Sequence, residues 1–116
     1  MKTSISELLK KMPGARSAQW PDGEPYAVGF SHGSMSLGFY APVGADSQQP
    51  HQQDELYIVQ TGHGTIFIGD QRTAFSPGDA FFVPAGMEHR FEDFSDDFHT
   101  WVVFWGPEGG ETEPGS

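Results

Sequence analysis

The chain contains no cysteine. That excludes a disulfide framework and any metal site built on thiolates. It fits a reducing compartment, and a cytoplasmic location is the expectation. Basic residues are scarce too: six Lys and Arg stand against sixteen Asp and Glu, for a formal charge of −10. Nucleic acids and anionic membrane surfaces both call for a basic face, so neither partner is expected. The acidic excess reads as a solvated coat. Long apolar runs are also missing. "WVVFW" and "AFFV" have only strand length, and the apolar part of "MKTSISELLKKMPG" is too short for a signal peptide or a membrane span. There is no phosphate-cradling glycine loop, no nucleophile elbow and no H-E-x-x-H helix.

What is present suggests one domain. A chain of 116 residues can bury roughly two thirds of its unfolded surface without staples. Ser4 and Glu7 have capping-box spacing ahead of Leu8 and Leu9, and Pro13-Gly14 ends the pattern. The prediction is one short helix from Ser4 to Met12, packed through Ile5, Leu8 and Leu9. After it come short strand-like runs: "YAVGF", "SMSLGFYA", "ELYIVQTG", "GTIFIG", "QRTAF", "DAFFVPA", "HRFEDF" and "HTWVVFWG". Gly, Pro and Asp punctuate them, and "GDQ" reads as a tight hairpin. The fold class is all-β, a closed or sandwiched antiparallel architecture. Residues 1–34 are expected to wrap the barrel, residues 35–106 to form it, and the tail 107–116, which has no apolar anchor, to be disordered. "LYIV", "TIFI", "AFFV" and "WVVFW" are apolar at both parities, so both faces of those strands need cover. A homodimer packed through a sheet face would supply it; an N-terminal segment including Trp20 is the alternative cover.

The chemistry gathers around two histidines. His51 and Glu55 are four apart and share a face on a strand, which Tyr57 and Val59 continue. By parity Gln49 and Gln53 join them unless a bulge intervenes. In "PAGMEHRFEDF" the residues Met87, His89 and Phe91 alternate with Glu88, Arg90 and Glu92, so His89 points inward. A lone inward histidine is more often a core residue than a ligand. Two of them beside a carboxylate suit Zn, Fe, Mn or Ni, and three protein ligands leave open positions. His32, His63 and His99 are expected to be solvated. Tyr57 and Phe91 are inward by parity, while Phe39, Tyr40, Phe81, Phe82, Trp101 and Trp105 are placed in the core, the pocket or a dimer face.

From about Met35 to Trp105 the sequence resembles the cupins, small jelly-roll barrels (double-stranded β-helices) with two motifs. "GDAFFVPAGMEH" matches the second motif, G-x5-P-x-G-x2-H, through Gly78, Pro84, Gly86 and His89. The first, G-x5-H-x-H-x(3,4)-E-x6-G, is matched in part: Glu55 and Gly62 have its spacing, His51 takes the second histidine and Gln49 stands at the first. The leading glycine, Gly44, is one residue closer than usual. The resemblance implies one divalent metal ion held by His51, Glu55 and His89. The fourth position would be Gln49 as a weak ligand, a water, or Gln53. The pocket is expected to include Tyr57, Phe91, Gln53 and Phe39, and an aromatic content of 14% favours a small organic ligand that is apolar or aromatic. An oxygenase, an isomerase, a decarboxylase or a polyketide-pathway accessory protein would each use such a centre. A non-catalytic ligand-binding or sensor cupin is the alternative, and a metal-free hydrogen-bonded cluster of the same residues is a third reading.

Overall fold

Local signals set the first element. In the computed structural model, which describes residues 1–112, helix α1 spans Ile5–Lys10 with Ser4 as its N-cap. The Ser4 hydroxyl accepts the Glu7 N–H at 3.2 Å, satisfying one of the donors that a helix start leaves free. The helix closes at Lys11, whose N–H bonds the Leu8 carbonyl at 3.1 Å while the Met12 N–H bonds the Leu9 carbonyl at 3.2 Å. It therefore stops short of the predicted Met12.

Eight strands follow: β1 (Tyr26–His32), β2 (Met35–Tyr40), β3 (Asp54–Thr61), β4 (Gly64–Ile68), β5 (Gln71–Phe75), β6 (Ala80–Val83), β7 (His89–Glu92) and β8 (His99–Trp105). All pair antiparallel. They form a five-stranded sheet, β1-β2-β8-β3-β6, and a three-stranded sheet, β5-β4-β7. The all-β expectation holds, and the "GDQ" turn joins β4 to β5 with Ile68 opposite Gln71.

The inner faces make one core, in which Tyr40, Tyr57, Val59, Ile66, Phe75, Val83, Phe91, Phe98 and Val102 are buried. Phe91 and Phe98 sit with ring centroids 4.6 Å apart, and Phe75 lies 4.8 Å from Phe98, within the range where aromatic pairs add to area burial. Gly62 lets the chain turn into this cluster. Its φ is +89°, and a Cβ there would meet the Phe98 Cα at 2.5 Å, so both backbone and space demand glycine.

The outer face of the large sheet is covered only in part. Leu8 of α1 packs on Ala27 and Phe39, with Ile5, Met12 and Trp101 around them. Beyond the helix, Phe30, Leu37, Val103, Leu56 and Phe82 form a row across all five strands by register. Ile58 (40%) and Phe82 (52%) remain well exposed.

Beyond Pro107, the Gly109 N–H donates to the Gln52 carbonyl at 2.8 Å, and the Glu111 N–H to Asp54 Oδ2 at 3.0 Å. Backbone donors tie the segment down where apolar anchors are lacking. Residues 113–116 of the predicted tail lie outside the described residues.

Candidate metal centre

The site sits at one end of the barrel, where three pieces of chain converge. Glu55 is the second residue of β3 and faces inward, two residues before Tyr57. His89 opens β7 and shares its inner face with Phe91. His51 lies in the loop before β3. The turn at Pro84–Met87 pulls that loop toward β7: the Gly86 N–H donates to the His51 carbonyl at 2.6 Å, and the Ala85 N–H to Asp54 Oδ1 at 3.0 Å. The two stretches that carry the motifs are thus stapled together through backbone hydrogen bonds. The His51 ring rests against Phe104 at 4.8 Å and lies 5.5 Å from the His89 ring.

One ligand atom from each of His51, Glu55 and His89 lies within 4.8 Å of the others. Metal–nitrogen and metal–oxygen bonds of about 2.0–2.2 Å hold any two ligands of one ion within about 4.2 Å, so a small contraction closes this set. His89 Nδ1 is 2.9 Å from the Met87 carbonyl. Donating there turns Nε2 inward, the orientation that a ligating histidine needs. Nε2 stands 3.1 Å from Glu55 Oε1 and 3.0 Å from Gln48 Oε1. Glu55 is 2% exposed, yet its Oε1 makes no aligned hydrogen bond. A buried carboxylate oxygen left without a donor is costly. A divalent ion among these groups would satisfy it, so the donor set fits a metal.

The electrostatics agree. Burial lowers the pKa of His51, keeping its ring neutral as a ligand must be. Burial acts on His89 in the same direction, but the close approach of Glu55 and the Met87 carbonyl, with the nearby Asp46 carboxylate, outweighs it and raises its pKa. Burial, then the Glu55 carboxylate, holds the Tyr57 hydroxyl far above its usual pKa, so it stays a donor and bonds Gln48 Oε1 at 2.9 Å.

Gln48 rather than Gln49 is the amide of the site. Gln49 is exposed and Gln48 is 7% exposed. The alternation assumed from Gln49 onward fails because β3 begins only at Asp54. What aims Gln48 is Asp46, a buried carboxylate at the centre of a network. Asp46 Oδ1 accepts from the Tyr40 hydroxyl and the Gln48 N–H, and Oδ2 from the Gln48 amide nitrogen and, at 2.8 Å, the Phe91 N–H. With its nitrogen held by Asp46, the Gln48 amide turns its oxygen to His89. Asp46 was missed by sequence reasoning; an Asp bonding the N–H two residues on is the one local signal available.

The other expected pocket residues divide. Tyr57 lines the cavity beside Glu55. Phe91 lies behind it, 4.8 Å from the Tyr57 ring and 1% exposed. Gln53 does not reach in: its amide donates to the Ser34 and Gly106 carbonyls at 3.0 and 2.9 Å. Phe39 is on the opposite face of the sheet, beneath α1, because its neighbour Tyr40 takes the inner position. Met87, expected inward with His89, is 38% exposed because it lies in the turn before β7. His32 and His63 are exposed, while His99 is half-buried against Phe39.

Compared with known proteins, the Cupin domain family matches residues 38–105. An uncharacterized protein of Streptomyces coelicolor is 44% identical over 77 residues, which cover 65% of this chain and 73% of that one. Acireductone dioxygenase of Leishmania infantum is 38% identical over 60 residues, 47% of this chain but 17% of the enzyme. Among solved structures, KdgF from a Halomonas species superposes with a TM-score of 0.62 at 16% identity, covering 72% of this chain and 78% of that one. The matched segment holds both motif stretches and all of the run from β2 to β8 except its first three residues, and on that match the chain belongs to the cupin family.

Proposed function

We propose that the protein is a metal-dependent cupin that binds a small organic molecule beside one divalent ion held by His51, Glu55 and His89. The observation that carries this is the unpartnered Glu55 oxygen, buried 3.1 Å from His89 Nε2. A bound ion supplies Lewis acidity toward a carbonyl or enol oxygen, or redox chemistry if it is iron. The likeness to part of a dioxygenase supports oxygen chemistry as the reaction class. The chain's own residues prepare the place: Asp46 aims the Gln48 amide oxygen into the site beside His89 Nε2, the Met87 carbonyl orients His89, and Tyr57 and Phe104 line the inner wall. Oxygen consumption by iron-loaded protein with enolisable or aromatic carbonyl compounds tests the reaction class. Unchanged compounds recovered from tight complexes would make it a binding protein instead.

The two glutamines give a sharper test of the site. Gln48→Ala is expected to weaken metal binding about 10- to 100-fold, the usual cost of losing a partner that orients a ligand. Gln49→Ala is expected to leave it unchanged. Titration against a chromophoric chelator reads both, and equal effects would contradict the assignment of Gln48.

We further propose that the uncovered row on the large sheet seats a second copy of the chain. None of Phe30, Leu37, Leu56, Ile58, Phe82 and Val103 is charged, so two strongly acidic chains can meet there without opposing carboxylates. Sedimentation should give a dimer, and Phe82→Asp a monomer of unchanged circular dichroism. A monomeric wild type would refute the proposal.

A further inference from the structure

The cavity beside the centre measures about 170 Å³. The barrel supplies part of its wall through Tyr40, Tyr57 and Phe104. Trp20, Glu24 and Tyr26, which precede the segment matched to the family, line it as well. This stretch is held firmly. The Trp20 N–H donates to Ser17 Oγ, the Trp20 carbonyl accepts from the Ser17 and Gly23 N–H groups, and the Gln19 amide donates to the Ser47 carbonyl at 2.8 Å. The Trp20 ring meets Tyr40 edge-on at 6.2 Å. Trp20 and Gln19 also line a larger surface groove of about 590 Å³, together with Leu9 and Val43, so both side chains border the two spaces.

Tyr26 is the polar feature of this wall. Its side chain crosses the inner face of β2 because position 38 is glycine; any Cβ there would collide with the Tyr26 hydroxyl. That hydroxyl is buried and makes no hydrogen bond of ordinary geometry, with the Ser36 side chain nearby. A buried hydroxyl without a partner invites a ligand acceptor. Size and charge narrow the ligand. A cavity of about 150 Å³ holds benzene, so this one takes a single ring or its equivalent. No Lys or Arg lines it, whereas Glu24 and Glu55 do, so a ligand carrying several negative charges is repelled.

We propose that the Trp20–Tyr26 segment completes the ligand site and selects a compact, ring-sized molecule with at most one negative charge and an oxygen acceptor for the Tyr26 hydroxyl. The inference rests on the metal reading above for the ligand's other end. The test uses zinc-loaded protein and calorimetric titration with benzohydroxamate, 2-naphthohydroxamate and citrate, after zinc affinity has been measured separately for each variant. Benzohydroxamate is expected to bind at least tenfold more tightly than the other two. Tyr26→Phe should leave zinc affinity unchanged and weaken benzohydroxamate about three- to tenfold, the worth of one hydrogen bond. Trp20→Ala, or Trp20→Leu if the alanine variant misfolds, should admit 2-naphthohydroxamate by joining the cavity to the groove. Equal benzohydroxamate binding by wild type and Tyr26→Phe, or wild-type preference for citrate, would overturn the inference. If zinc does not bind, the metal reading fails on its own, and phenol titrated into zinc-free protein takes the place of the hydroxamates. Weaker phenol binding by Tyr26→Phe would still support the segment's role, and equal binding would overturn it.

Discussion

Replacing His89 with alanine is expected to lower metal affinity by at least about a hundredfold, since losing a mere orienting partner already costs 10- to 100-fold. Three features make this the most damaging ligand change. His89 is 2% exposed, so no water-mediated substitute has an easy path. Its Nδ1 is committed to the Met87 carbonyl, so Nε2 is fixed toward Glu55 and Gln48. Its removal also leaves the Glu55 carboxylate buried without the imidazole 3.1 Å away, which lowers the stability of the metal-free protein. His51→Ala is the companion variant. His51 is only half-buried and packs on Phe104, so that variant should keep its fold while losing most of its affinity. Competition with a chromophoric chelator measures both. Wild-type affinity in a folded His51→Ala protein would place the ion elsewhere.

Asp46→Ala is expected to destabilise the protein by about 3–5 kcal/mol, the cost of breaking a buried charged network from one side. The carboxylate is 6% exposed and accepts four hydrogen bonds. Without it the Tyr40 hydroxyl, the Gln48 amide, the Gln48 N–H and the Phe91 N–H lose their acceptor together. The Phe91 N–H lies on β7, an edge strand, where no further strand can replace the acceptor. For a domain of this size the loss corresponds to about 10–20 °C in melting temperature. Metal affinity should fall as well, because Gln48 loses what aims it. A drop below about 1 kcal/mol, read by chemical denaturation, would mean that water takes over the network.

The strands were legible because their punctuation is local. "GDQ", "SPGD" and "HGS" mark turns by residue type, and each apolar run between them became a strand. Glu55 and His89 were legible because each stands on a strand, where side chains alternate. Gln48 and Gln49 were not separable in the same way. They sit in a loop before β3, where position along the chain no longer dictates direction, and a buried aspartate two residues earlier decides which of them turns inward. Phe39 was misplaced because "LGFYA" is apolar at both parities, and only the packing of α1 shows which side it takes. Trp20 stood out only as a cover for a sheet face and Tyr26 not at all, since their place at the cavity depends on long-range packing against Gly38 and Tyr40.

Elemental analysis of untagged protein, purified anaerobically without chelator and compared with His51→Ala, tests the central claim most directly. About one equivalent of a divalent metal in the wild type, lost in the variant, is the result this account predicts. No metal in the wild type, even after divalent ions are added, would contradict it and leave His51, Glu55 and His89 as a metal-free hydrogen-bonded cluster.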